Sequence, residues 1–331
     1  MKRTKNKATS ARMPQARAMS IASALVAGDT SPAIQFLAEN SARASVNGTW
    51  ENAVNKLLKL AAALASGEPI ESSPFSVFAK GGNIKLPFAA FSSLPIIDCA
   101  GYGACGEWCY SLTAWRYANA WARQAANSML LRHESGRTFI AREFAKIGTR
   151  WSSKRKPISE RKAGGILKLS ENKPKITLRL YVDGDFHSKE SLKWWMELIA
   201  TRGEVSVYGY SKSWVEFLAL HLDGYAWPEN YTLNLSGGSR HEGTHMLALM
   251  ERLPVTRGEF IAVPIPATHI RNKAYQSKRN SGHAEYARDV RAAAGKRVFV
   301  CPGRCGDCLP DGSHACGNYR MLGVTIAIGV H

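Results

Sequence analysis

From about residue 75 the chain alternates short apolar, β-branched runs with amphipathic stretches, and this alternation restricts the fold more than any other feature of the sequence. Strand candidates are Leu86–Ile97, Ile176–Val182, Glu204–Tyr210, Tyr231–Leu235, Phe260–Ile265 and Arg297–Val300. Helical patterns occupy 111–132, 137–149, 188–202, 213–222, 242–253 and 283–295. Strand followed by helix, repeated, implies a parallel sheet, open or closed into a partial (β/α) barrel. Sites in such sheets lie at the C-terminal strand ends. Each strand candidate here runs into chemically capable residues: Cys99, Asp183-Gly184-Asp185, Ser211-Lys212, Ser236-Gly237-Gly238, Thr268-His269 and Cys301. That coincidence points to one shared site.

The cysteines sharpen the expectation. All seven fall into two clusters: Cys99, Cys105 and Cys109 at C-x5-C-x3-C, and Cys301, Cys305, Cys308 and Cys316 at C-x3-C-x2-C-x7-C. An odd number of thiols at short spacings reads as metal ligands rather than a disulfide framework. Four thiols within sixteen residues suffice to close one tetrahedral site, and Gly303, Gly306 and Gly312 let the backbone wrap tightly. Thiolates are soft ligands, so zinc and an iron–sulfur cluster are the candidates. The first cluster has three thiols and no evident fourth, which leaves a coordination position for substrate or cofactor. Small buried cysteines at a tight turn are the plainer alternative there.

The 331 residues carry a net charge of +18, which favours a polyanionic partner. Two segments concentrate the charge. Residues 1–18 hold Lys2, Arg3, Lys5, Lys7, Arg12 and Arg17 and no acid, and read as a disordered basic arm. Residues 146–175 hold ten lysines and arginines around Trp151, a composition suited to a nucleic-acid backbone and a stacked base, or to a solvated loop. Between arm and sheet, residues 19–74 read as a helical extension: SPAIQFLAENSARA offers Ser31 as N-cap and Pro32 at the first helical position. The N-terminus loosely imitates an export signal, but its charged part is long and its apolar run short and Ala-rich. No run approaches the ~20 apolar residues of a membrane span. A cytoplasmic protein of a bacterial host is expected.

Three further motifs bear chemistry. RLYVDGDFHS puts Asp183, Asp185 and His187 at a strand end, with Gly184 for a sharp turn. These carboxylates suit acid/base work, a cofactor amine or ribose, or a metal; Asp185 or Ser188 as a helix N-cap is the structural alternative. Lys212 and Ser236, each closing a strand, suit an anionic ligand. SRHEGTHMLAL contains H-E-x-x-H (His241, Glu242, His245), which on one helix would hold zinc with Glu242 as general base, Glu259 or His269 completing the set. Gly243 inside the motif weakens that reading.

The order of these strings is the basis of a resemblance. A cysteine cluster ending in CYS, then RLYVDGDFHSKESLKWWMELI, then VSVYGYSKSW, then NLSGGS, then CPGRCGDC with a further cysteine resembles the phage gene product 88 family over roughly residues 80–320. That family looks like a divergent relative of radical S-adenosylmethionine barrels. The resemblance implies a [4Fe–4S] cluster at Cys99, Cys105 and Cys109, S-adenosylmethionine against Asp183, Gly184 and Asp185, and an auxiliary cluster at Cys301, Cys305, Cys308 and Cys316. The spacing departs from the usual C-x3-C-x2-C, which occurs here only at Cys301, Cys305 and Cys308. The leading expectation is therefore an iron–sulfur protein of phage or plasmid type acting on or near nucleic acid, with Asp183, Asp185 and Lys212 as catalytic candidates and Ser236 at the cofactor. A non-catalytic, zinc-containing nucleic-acid-binding protein and a zinc hydrolase are the alternatives.

Overall fold

The computed structural model describes residues 13–80, 88–148, 176–266, 282–303, 305, 308 and 314–330. The basic arm through residue 12, nearly all of the basic segment 146–175, and Thr268-His269 lie outside them. The chain divides into two compact units: a helical unit (Met1–Val77, Ser93–Ile97, Cys109–Ile140) and a sheet unit (Phe78–Ser92, Asp98–Trp108, Ala141–His331).

The helical unit is built on α1 (Gln15–Val26), α2 (Ser31–Asn40), α3 (Trp50–Ala65) and α4 (Ala118–Arg132). Helix α3 buries Trp50, Ala53, Val54, Leu57, Leu60 and Leu64, one stripe at intervals of three and four. Thr49 caps it by accepting the Asn52 N–H at 3.2 Å. Helix α4 is buried on most of its surface, so its polar residues need internal partners. Asn127 donates to the Val77 carbonyl at 3.0 Å and Ser128 to that of Gln124 at 3.0 Å. Trp121 packs on Trp50 with ring centres 5.2 Å apart and donates to the Ala18 carbonyl.

The sheet unit holds eight strands: β1 (Phe78–Lys80), β2 (Ala89–Phe91), β3 (Ile176–Leu180), β4 (Val205–Ser211), β5 (Tyr231–Ser236), β6 (Thr256–Pro264), β7 (Phe299–Val300) and β8 (Ile326–Val330). Their order is β1-β2-β3-β4-β5-β6-β8-β7. Only the β1–β2 pair is antiparallel. The pairings run from β1 at one edge to β7 at the other. After α5 (Glu134–Ala145), helices α6 (Lys189–Ala200), α7 (Trp214–Leu222) and α8 (His245–Glu251) link β3 to β6 in turn, and α9 (Gly282–Ala294) precedes β7.

The register sorts the two faces of this sheet. Phe260, Ile326 and Phe299 stand in one cross-strand row; Ile261, Ala327 and Val300 stand in the next. The second row packs with Tyr286, Ala287 and Val290 of α9. On the same helical face Phe217 of α7 stacks on Tyr231, and Trp195 of α6 meets Phe91 and Tyr181. The first row belongs to a different cluster, with Tyr208, Tyr210, Cys301, Cys308, Ala315 and Cys316. One face of the sheet is thus covered by helices and the other by the cysteine-bearing segment after β7.

That cysteine-bearing segment is fastened by polar groups. Asn234, in the middle of β5 and fully buried, donates from Nδ2 to the carbonyls of Gly209 (3.0 Å) and Cys316 (2.9 Å). Its Oδ1 accepts from Arg257 Nε at 2.6 Å. The Arg257 guanidinium, 1% exposed, also donates to the carbonyls of Met321, Val324 and Glu259.

Several expectations need adjusting. The run Leu86–Ile97 yields only the three-residue strand β2, because Leu94 gives its N–H to Ser128 Oγ of α4 at 2.9 Å and residues 93–97 join the helical unit. The pattern 111–132 splits into a 3-10 turn over Tyr110–Arg116 and α4. Residues 15–18, taken with the basic arm, are the first turn of α1. Ser31 is the first residue of α2 rather than its cap, and its N–H is taken by Asp29 Oδ1 at 2.8 Å. Strand β6 begins at Thr256, and β8 was not anticipated at all.

Replacing Arg257 by Met should strand the buried Asn234 amide oxygen and three half-buried carbonyls. Loss of about 3 kcal/mol or more is expected in urea unfolding, since each orphaned buried acceptor costs about 1–3 kcal/mol. A loss below ~0.5 kcal/mol would show that the guanidinium does not anchor this face.

Candidate functional site

Two groups of candidate residues come together in the sheet unit. The first lies where β3, β4 and β5 end. Tyr181 takes a left-handed backbone (φ 54°), which breaks the strand and turns its ring among Phe91, Phe186 and Trp195. Gly184 (φ 75°) then makes the expected turn. Asp185, 2% exposed, accepts three hydrogen bonds: from Phe186 N–H and Ser211 Oγ on Oδ1, both 2.8 Å, and from Lys212 N–H on Oδ2 at 2.6 Å. Burial raises its pKa to about 6 despite these donors. The helix cap is Ser188, which accepts from Ser191 N–H at 3.1 Å. Asp185 therefore works as a latch between β3 and β4, and Asp183 stands half-buried before it.

Lys212 follows β4. Its Nζ donates to Ser236 Oγ at the end of β5, 2.6 Å away. The loop carrying Cys99 and Cys105 seats against these strand ends. Gly103 N–H donates to the Gly238 carbonyl and Arg240 N–H to that of Gly101. Gly101 lies so close to the Lys212 carbonyl oxygen that a methyl group there would overlap it, so only glycine fits. A side chain built on Gly238 would begin 3.0 Å from the Cβ of Cys105. Cys105 thus shares this edge with Lys212 and Ser236. Cys109, the third thiol, begins the segment that belongs to the helical unit.

The second group is the cysteine segment on the sheet face. Cys308 and Cys316 are buried; Cys301 and Cys305 are half-buried. Burial pushes the Cys316 thiol up to about 12, with the Cys308 and Cys305 charges adding to the rise. Cys301 is raised further by burial, then by Cys316, Cys308 and Cys305. Cys305 and Cys308 thus act on both Cys301 and Cys316, and Cys301, Cys308 and Cys316 share one cluster. Sequence reasoning missed its lining. The Tyr208 hydroxyl lies 3.8 Å from Cys305 Sγ, and Tyr210 bonds the Cys316 thiol. The Arg179 guanidinium lies 4.5 Å from the Tyr210 ring centre, and Arg257 favours the Cys316 thiolate. His314 packs on Tyr208 with ring centres 4.5 Å apart. Its Nε2 is buried with no hydrogen-bond partner among the described residues, and burial lowers its pKa to about 4. The available signal was the spacing of Tyr208, Tyr210 and Asn234: polar-tipped residues recurring on one face of buried strands.

This donor set fits a thiophilic metal or cluster in its chemistry. Buried thiols that keep their protons in the absence of a cation become ligands when one binds. Among the described residues no three His, Cys, Asp or Glu side chains converge as a metal-binding group. The H-E-x-x-H motif is not arranged as a zinc-binding helix. Gly243 takes φ 76° and Thr244 caps α8 by accepting the Met246 N–H, so His241 and Glu242 precede the helix that His245 begins. Glu242 instead accepts the Gly238 N–H at 2.6 Å.

The family model described as gene product 88 matches residues 55–320, and the chain belongs to that family. The match begins within α3 and includes α4, so it reaches further into the helical unit than the motifs suggested. No curated protein and no solved structure matches the chain. No helix among the described residues is long and apolar enough to cross a membrane.

Folded Asp185 keeps its proton to about pH 6, whereas the unfolded carboxyl releases it near 3.8. The unfolded state ionises first as pH rises, so the folded state loses stability between about pH 4 and 6, by at most ~3 kcal/mol, and the loss levels off above. Urea unfolding at half-unit steps should show this fall in the wild type and not in Asp185→Asn. Parallel curves for the two would remove Asp185 as its source.

Proposed function

We propose that this chain, a member of the gene product 88 family, is an iron–sulfur protein whose C-terminal cysteines hold a [4Fe–4S] cluster on the open face of its sheet. The carrying observation is the packing of Cys301, Cys308 and Cys316 in one cluster on this face, with Cys305 and Cys308 close enough to raise the pKa of both Cys301 and Cys316. Cluster thiolates are anionic, and hydrogen bonds and positive charge near the sulfurs favour the reduced cluster. Tyr208, Tyr210, Arg179 and Arg257 supply these features from the sheet itself. Zinc on the same thiols is the alternative occupant.

In the fuller form of this reading, Cys99, Cys105 and Cys109 carry a second cluster with one iron open to S-adenosylmethionine, and the sheet forms a partial barrel around it. Such a cluster supplies one-electron reductive cleavage of the sulfonium. The chain's own contribution would be to hold the cofactor beside Asp183 and Gly184 and to keep Lys212 and Ser236 at the strand ends. The charge of +18 supports action on or near nucleic acid in the cytoplasm of a bacterial host of a phage or plasmid.

Anaerobically purified protein should be brown and contain about four irons and four sulfides per chain, or about eight if both sets are filled. Cys301→Ala and Cys316→Ala should each abolish the C-terminal share, and Cys99→Ala should leave it. A colourless protein with about one zinc per chain would replace iron by zinc, and a metal-free protein would end the metal-centre reading.

A further inference from the structure

The contact between Lys212 and Ser236 does not depend on any metal. Adjacent parallel strands β4 and β5 pair Ser211 with Leu235, so Lys212 and Ser236 stand side by side at their C-terminal ends. This is the edge at which open parallel sheets take their ligands.

The Lys212 backbone is fixed from both sides. Its N–H is held by buried Asp185, and its carbonyl accepts from Ser239 Oγ at 3.5 Å and abuts Gly101. Ser211, the residue before it, is tied to Asp185 and to the Ser213 N–H at 3.0 Å. The side chain, by contrast, makes one hydrogen bond, to Ser236 Oγ. No carboxylate among the described residues forms an ion pair with it. Asp185 feels the Lys212 charge, but its oxygens are taken by Phe186, Ser211 and the Lys212 backbone. Among the described residues this half-buried ammonium therefore keeps two N–H donors without a partner, beside a serine that accepts from it and still has its own O–H to give.

We infer that Lys212 Nζ and Ser236 Oγ together bind the anionic group of a small ligand, a carboxylate or a phosphate. A lysine serves such a group as a point charge, and the adjacent hydroxyl adds a directional donor. Asp185, Gly101 and Ser239 are then positioning residues for the ammonium. This inference stands whether or not the cysteines carry a cluster.

The test is amide NMR titration of the full chain with inorganic phosphate and, separately, sodium acetate, each balanced with chloride at constant ionic strength. One of the two should give saturable shifts at the amides of Lys212, Ser213, Ser236 and Gly237, and which one does so identifies the group. Lys212→Met should abolish these shifts, Lys212→Arg should retain them, and Ser236→Ala should weaken binding several-fold. No saturable shift with either anion, or the same shifts in Lys212→Met, would overturn the inference. Should Lys212→Met fail to fold, Ser236→Ala decides, because unchanged affinity there would equally overturn it.

Discussion

The buried tie between Asn234 and Arg257 is the interaction on which the cysteine-bearing face depends. A central strand of a parallel sheet is ordinarily apolar on both faces because helices cover both. Here no α-helix among the described residues covers one face. Asn234 and Arg257 replace hydrophobic packing with directed hydrogen bonds to an irregular segment, whose backbone polar groups would otherwise be buried without partners. The bulge between Leu233 and Asn234, with Gly258 opposite, lets the guanidinium reach both the strand and the tail. Chain after β7 can then be irregular and still be held in place.

The strand ends follow a different logic. Asp185, Ser211, Lys212, Ser213, Ser239 and Gly101 join three successive strand–helix connections and the Cys99 loop through short polar contacts. Desolvating Asp185 opposes folding, as its raised pKa records. A neutral residue would brace the turns without that cost, so the carboxylate marks a place where local stability has been given up. The product is a fixed Lys212 ammonium beside Ser236. Strain at Tyr181 lies on the same edge, at the first of these turns.

Much of the sheet was legible because β3, β4 and β5 are flanked by amphipathic helices and unambiguous turns. The α6 cap at Ser188, the turn at Gly184 and the gathering of strand-end residues followed from local chemistry. The failures share a cause: partners distant in sequence. Leu94 leaves the sheet because Ser128 of α4 takes its N–H. Strand β8 is a plain apolar run whose place between β6 and β7 no local signal specifies. Arg257 sits in a stretch whose composition suggests a turn, and only the long-range acceptors Met321 and Val324 make it part of a strand. H-E-x-x-H misled for the opposite reason. Its letters match, but Gly243 and Thr244 place the helix start inside the motif.

Two basic side chains among buried thiols carry the remaining argument. A cluster of neutral thiols would need no guanidinium near it, and burying Arg257 is costly enough that desolvation lowers its pKa. Its bonds to carbonyls explain its structural work, yet its field also favours the Cys316 thiolate. Arg179, stacked on Tyr210, adds positive charge from β3, and Tyr210 hands a proton donor to the same sulfur. Arg257 and Tyr210 stabilise the Cys316 sulfur in its anionic form, and burial opposes that form. Such opposition is resolved when a cation shares the site, since the thiolates then offset its charge and the cation offsets theirs. The polar lining of this face is what supports the proposed metal centre over four thiols packed as small apolar residues.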